Sequence, residues 1–335
     1  RVWRVGNRAG RYNRGPEPMR LLSTHRQPMF ANAYRIAGAF TLPVVISSRL
    51  QSGACAGAVG ACVVVNRDGW MLTAAHLMAE IMRQQAGVGR HRAHKSDVRQ
   101  LEQDTTADKR FRKSKVRTFA RPAADSVRNH SVWWGRDGVQ VHDAVVQPAA
   151  DLALGRLQPF DPDSVAHYPV FKTPGDDYAP GRSLCKLGFP FHQVKPEYDE
   201  ARHAFVLPPG TLPMPLFPIE GIFTRVVIAS MPQAGDGKEA QHGPGKFIET
   251  SSPGLVGQSG GPVVDTDGAV WALQSHTRHY ALGFSPPAPG KAGAEGKSAA
   301  HKEHQFLNVG LGVHAEAILK LLDEQGVEYQ STAAV

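Results

Sequence analysis

The chain has 335 residues, 41% hydrophobic and 20% charged, with a formal net charge of +8. That length and apolar content support a substantial core in one large or two smaller domains, so the expected class is a soluble globular protein. The best membrane candidate, residues 37–48, is shorter than the roughly 20 apolar residues that cross a bilayer and is flanked by Arg35 and Arg49, so no membrane span is expected.

The charge is uneven. Residues 1–28 carry seven arginines against Glu17, and residues 83–117 carry eleven Lys/Arg against four acids, which leaves the rest of the chain net acidic. The first of these segments reads as part of a basic flexible leader, residues 1–39, and the ordered part is expected to start near Phe40. The second, 83–117, is a candidate surface for an anionic partner such as an acidic protein or nucleic acid, set against the commoner meaning of a solvated charge run.

From Phe40 onward, short β-branched runs alternate with turn residues: TLPVVISS, ACVVV before NRDG, WMLTAA, GVQVHDAVV, DLALGRL, RSLCKLGF, GIFTRVVIAS, KFIET, GPVVD before TDG, AVWALQS and HQFLNVGLGV. Many short strands with Asp-Gly turns predict a mainly β barrel or sandwich. Two stretches interrupt the pattern: a charged insertion at 80–130, helical in propensity around 97–115, and a low-complexity loop at 284–304. Residues 314–326 place Ala317, Ile318, Leu321 and Leu322 on one helical face before Gly326, which predicts an amphipathic C-terminal helix.

Cys55, Cys62 and Cys185 are odd in number and lack metal-ligand spacing, so they read as small buried hydrophobes and favour a reducing, cytoplasmic compartment. The N-terminus is basic without the apolar stretch of a signal peptide, but the chain does not begin with Met. His91/His94 and His301/His304 have i, i+3 spacing without carboxylate or cysteine partners, so surface roles are expected and no metal site or cofactor is assigned.

The stretch GQSGGP at 257–262 is where chemistry first suggests itself. Its glycines let the backbone turn tightly around Ser259 and aim the N–H groups of Gly257 and Ser259 at a carbonyl oxygen as it becomes negative. A serine needs a base, and the base needs an orienting acid. His76 ends the strand run GWMLTAAH, and Asp151 opens the apolar run DLALGRL, where a carboxylate has no packing role. Asp143, inside VHDAVV, is a rival acid. An α/β-hydrolase elbow also has Gly-x-Ser-x-Gly, but it needs a helix after the serine, and here Pro262 and VVDTDGAVWAL predict a strand and hairpin.

Together, LTAAH, DLAL and GQSGGP resemble the trypsin-like, chymotrypsin-fold serine peptidases, with a flavour of the bacterial HtrA-type protease domain and no sequence left after the last helix for a PDZ domain. The resemblance implies two six-stranded antiparallel β-barrels: the first at about 40–160 carrying the insertion, the second at about 180–312, then a helix at 314–325. It implies a serine endopeptidase acting through an acyl-enzyme, with His76 as base, Asp151 as its orienting acid, Ser259 as nucleophile and the Gly257 and Ser259 N–H groups as oxyanion hole. Its partner is then a protein or peptide substrate. Leu77 and Gln258 depart from secreted trypsins: there is no cysteine after the histidine, and no aspartate before the serine to pair with a newly cut N-terminus, so no activating cleavage is expected. Pocket walls are assigned to Pro253, Gln274, Ser275 and His276. Pro253 stands where trypsins carry an acid, which argues against selection of Arg or Lys. His276 could meet an acidic side chain, against the plainer reading of a satisfied histidine. The alternative from another class is an idle trypsin-fold binding protein that holds its anionic partner through the insertion.

Overall fold

The computed structural model describes residues 29–103, 108, 110, 115–116, 123–175, 178–230, 244–282 and 306–333. The Arg-rich residues 1–28, most of 104–122, and the loop 284–304 with His301 and His304 lie outside them.

Order begins earlier than Phe40. Helix α1, Ala31–Phe40, buries Ala33, Ala37 and Phe40, which the 3.6-residue repeat places on one face. Small residues hide this stripe in the sequence, and the leader assigned to 1–39 is corrected at its end. Strands β1 (Thr41–Leu50), β2 (Cys55–Val64), β3 (Trp70–Ala74), β4 (Val127–Trp133), β5 (Gln140–Gln147) and β6 (Leu152–Gln158) then form one antiparallel sheet in the order β4-β1-β2-β3-β6-β5. Among the described residues β4 and β5 are not paired with each other, so this sheet has the six expected strands but an open seam. β4 begins inside the segment 80–130 read as insertion and runs past its end. Its polar sequence, VRNHSVW, is that of an edge strand half-covered by a helix.

That helix is α2, Ala75–Gln103, which starts at the end of β3 and is longer and earlier than the helical stretch expected at 97–115. Its buried residues, Ala75, Leu77, Met78, Ile81 and Gly87, all fall in its first half, and the second half presents charge to solvent. No helix among the described residues is long and apolar enough to cross a membrane.

The second half contains β7 (Val170–Phe171), β8 (Ser183–Gly188), a small ribbon of β9 (Glu197–Asp199) and β10 (Ala204–Val206), then β11 (Phe217–Ala229), β12 (Gly245–Thr250), β13 (Pro262–Val264), β14 (Val270–Ala281), β15 (Phe306–His314) and β16 (Gln330–Ser331). Six of these run β13-β8-β11-β12-β15-β14, and a β13–β14 pairing closes them into a ring; β7 and β16 extend the sheet to eight strands by parallel pairing beyond β14. Helix α3, Ala315–Glu324, buries Ala315, Ile318, Leu321 and Leu322 as its pattern predicts. His314 caps it: Nδ1 accepts the Glu316 N–H at 3.0 Å, and the ring stacks on Tyr178 with centroids 4.6 Å apart. Burial, with help from Lys246, pushes its pKa down to about 4, which keeps the accepting nitrogen unprotonated near neutrality. All three cysteines are free thiols, and burial pushes Cys62 up to about 12 and Cys185 up to about 11, consistent with inert packing.

Candidate active site

The segment between β12 and β13 doubles back on itself. Gly257 has φ +99° and Gly260 φ +81°, both in the left-handed region. A Cβ on Gly257 would strike the Phe189 carbonyl, and one on Gly260 would strike the Ala61 carbonyl and Thr73 Oγ1, so both positions require glycine twice over. Backbone bonds fix the turn: Gln258 N–H to Leu255 O at 2.9 Å, Gly261 N–H to Gln258 O at 2.8 Å and Gly260 N–H to Gln274 O at 2.8 Å. Ala61 of the first sheet donates to Ser259 O at 2.8 Å. Among the described residues, the Gly257 and Ser259 N–H groups enter no hydrogen bond, which leaves two donors free at the turn. Gln258 is buried, and its Oε1 accepts the Leu255 N–H at 3.0 Å.

The structure brings Asp151 and His76 together. Asp151 follows a short 3-10 turn, Pro148–Ala150, in a left-handed conformation with φ 51°, and its own carbonyl accepts the Ala75 N–H at 3.1 Å. Its carboxylate accepts the His76 backbone N–H at 2.9 Å, and His76 Nδ1 lies 3.0 Å from both oxygens. Ser275 Oγ donates to Oδ2 as the third donor. The Asp151 side chain is 4% exposed and that of His76 45%, so the acid is sealed while the imidazole faces solvent. An ionised carboxylate only accepts, so Nδ1 carries a proton, and in the neutral ring the lone pair is then on Nε2. Asp143 is exposed on a bulge of β5 with φ 52°, away from this network.

Ser259 is half-buried, and its Oγ donates to the Ser275 carbonyl at 3.4 Å; among the described residues it is not bonded to the His76 ring. The residues assigned to the pocket wall make contacts that the sequence did not disclose. Gln274 is buried beside Gly254, with Nε2 donating to His276 O and Leu311 O at 3.2 Å, and Thr277 Oγ1 donates to Gly254 O at 2.7 Å. Beneath them Lys186, fully buried on β8, donates through Nζ to Ser252 O at 2.5 Å, Pro253 O at 2.7 Å and Thr250 Oγ1 at 3.2 Å. The sequence reading missed Lys186. A lone cation in the apolar run SLCKLGF was the available signal.

Two mainly antiparallel β-sheets followed by a C-terminal helix, with the His76–Asp151 pair in the first half and Ser259 in a glycine-bound turn of the second, match the architecture of a trypsin-like peptidase. The profile of the trypsin-like peptidase domain family matches residues 60–273, and the chain belongs to that family. Solved structures similar to the chain include the Rv3671c protease from M. tuberculosis in its active form, with 14% identity, 90% of this chain and 88% of that chain covered and a TM-score of 0.44. Another is the HtrA-type protease AlgW with tripeptide, with 14% identity, 90% of this chain and 65% of that chain covered and a TM-score of 0.43. The chain thus spans slightly less than two thirds of AlgW. A search of curated proteins gives no match.

Proposed function

We propose that the protein is a serine endopeptidase with His76, Asp151 and Ser259 as its catalytic triad. The observation that carries this reading is the sealed Asp151 carboxylate, which holds His76 Nδ1 at 3.0 Å and leaves Nε2 free to serve as the base. In the reaction, Ser259 Oγ exchanges its bond to the Ser275 carbonyl for one to Nε2 and attacks the substrate carbonyl carbon, while Nε2 takes the proton. Asp151 stabilises the imidazolium, and the free N–H groups of Gly257 and Ser259 receive the oxyanion. Collapse passes the Nε2 proton to the leaving amine and forms an ester on Ser259; water then repeats the sequence and releases the acid.

Purified protein is expected to take up a fluorophosphonate probe, and both Ser259→Ala and His76→Ala to abolish uptake, since loss of one triad member costs about 10⁴-fold or more. A folded wild type that stays unlabelled, or a Ser259→Ala variant that labels equally, overturns the reading.

A second reading adds a partner to this activity. α2 exposes Arg83, Arg90, Arg92, Lys95 and Arg99, and a groove of about 360 Å³ opens between Gln51 and His91, His94, Lys95, Val98 and Arg99. Such a face suits a polyanion. A fluorescent single-stranded oligonucleotide is expected to bind with affinity that falls steeply with salt and to weaken in Lys95→Ala/Arg99→Ala; no binding at low salt overturns it.

A further inference from the structure

Strand β14 breaks its own alternation at the site. Gln274 faces Gly312 of β15 and His276 faces Leu311, the next residue, so Ser275 is the extra residue of a β-bulge. In a regular strand neighbours point to opposite faces. The bulge instead lets Ser275 and His276 bond to each other: His276 Nδ1 lies 3.0 Å from Ser275 Oγ, which donates its proton to Asp151 Oδ2. A hydroxyl has one proton, and the carboxylate takes it. His276 Nδ1 must therefore carry a proton of its own and donate it to Ser275. The ring is held edge-on by Phe247 of β12, with centroids 5.9 Å apart and planes at 89°.

We infer that His276 is a positioning residue of the catalytic acid, donating to Ser275 so that the hydroxyl holds the outer oxygen of Asp151 in line with His76. This rests on the peptidase reading above. The acid arm is then a chain of four side chains, His76, Asp151, Ser275 and His276, two from each half of the molecule. A donor behind a hydroxyl polarises its O–H and strengthens the bond to the carboxylate. The charged groups facing His276 are Asp151 from the first half, His76 at the start of α2 and Arg278 on its own strand. Burial lowers its pKa, Asp151 opposes that, and Arg278 and His76 add to it, so the ring is neutral at neutral pH. In acid its protonation places a second cation opposite the carboxylate that must stabilise the His76 imidazolium. Two protonations, not one, then suppress the reaction.

The test is the rate of fluorophosphonate labelling of Ser259 from pH 4 to 9 in wild type, His276→Phe and His276→Asn, with melting temperature recorded for each. Wild type is expected to lose reactivity in acid with a two-proton dependence. His276→Phe should label about 10-fold more slowly at its plateau, the rate equivalent of one lost hydrogen bond, with a one-proton acid limb. His276→Asn, whose amide N–H stands near the position of Nδ1, should recover most of the plateau but keep the one-proton limb. A folded His276→Phe with wild-type rate and profile overturns the inference alone; so does a two-proton limb in His276→Asn, which also decides the matter should the phenylalanine variant not fold. A folded wild type that takes no label overturns the peptidase reading and this inference with it.

Discussion

Asp151→Asn is expected to leave a folded protein whose kcat on any cleavable peptide or ester falls about 10⁴-fold. The carboxylate receives three donors: the His76 backbone N–H, His76 Nδ1 and Ser275 Oγ. An amide offers one oxygen and an NH₂ group that cannot accept, so at least one donor loses its partner. The cheapest remedy is for His76 to move its proton from Nδ1 to Nε2, which takes away the lone pair that the proposed mechanism uses as base. Near-native melting with lost turnover is the expected pair of measurements. A loss below 10-fold would return the choice to Asp143, whose Asp143→Asn variant is expected to behave as wild type because its side chain is exposed and outside the network.

Lys186→Met is expected to destabilise the protein by about 3 kcal/mol, because methionine fills the same channel but leaves the Pro253 carbonyl without its Lys186 donor and takes one of two donors from the Ser252 carbonyl, as well as the bond to the Thr250 hydroxyl. Those carbonyls belong to Ser252 and Pro253, which under the proposed activity border the substrate pocket, so KM should rise more than kcat falls. The pH dependence has a defined sign. Burial pushes the Lys186 ammonium from 10.5 in the unfolded chain down to about 7 in the folded one. Between those values the unfolded chain holds a proton that the folded chain has released, so wild-type stability rises with pH across that window, relative to Lys186→Met. The three oxygens around Nζ favour the charged amine and narrow the window from below. Thermal melts of both proteins at pH 6, 8 and 9.5 measure the difference, and a gap independent of pH would contradict the assignment.

The parts of this molecule that could be read from its sequence are those whose chemistry is local. Glycines around a serine, a small-residue strand end before His76 and an acid heading an apolar strand each state their geometry within a few residues, and all three segments lie where that geometry places them. The β-branched strands were legible for the same reason, since alternation and Asp-Gly turns are short-range signals. What stayed hidden depends on partners distant in the chain. β4 is too polar to announce itself and exists because β1 and α2 flank it. The second half of α2 has no apolar stripe to mark it. The bulge at Ser275 contradicts the rule that would have sent His276 to the opposite face, and only pairing with β15 reveals it.

The hydrogen bond from Ala61 to Ser259 ties that serine's backbone to the opposite half of the molecule, and Gly260 nests against Ala61 and Thr73 with no room for a side chain. A molecule whose halves drift apart therefore loses the support of its serine at the moment its interior strands become digestible. Under the proposed activity, such a molecule is a substrate and never its own executioner. Self-destruction then takes two copies, one open and one intact, and is slow in dilute solution and fast in crowded ones.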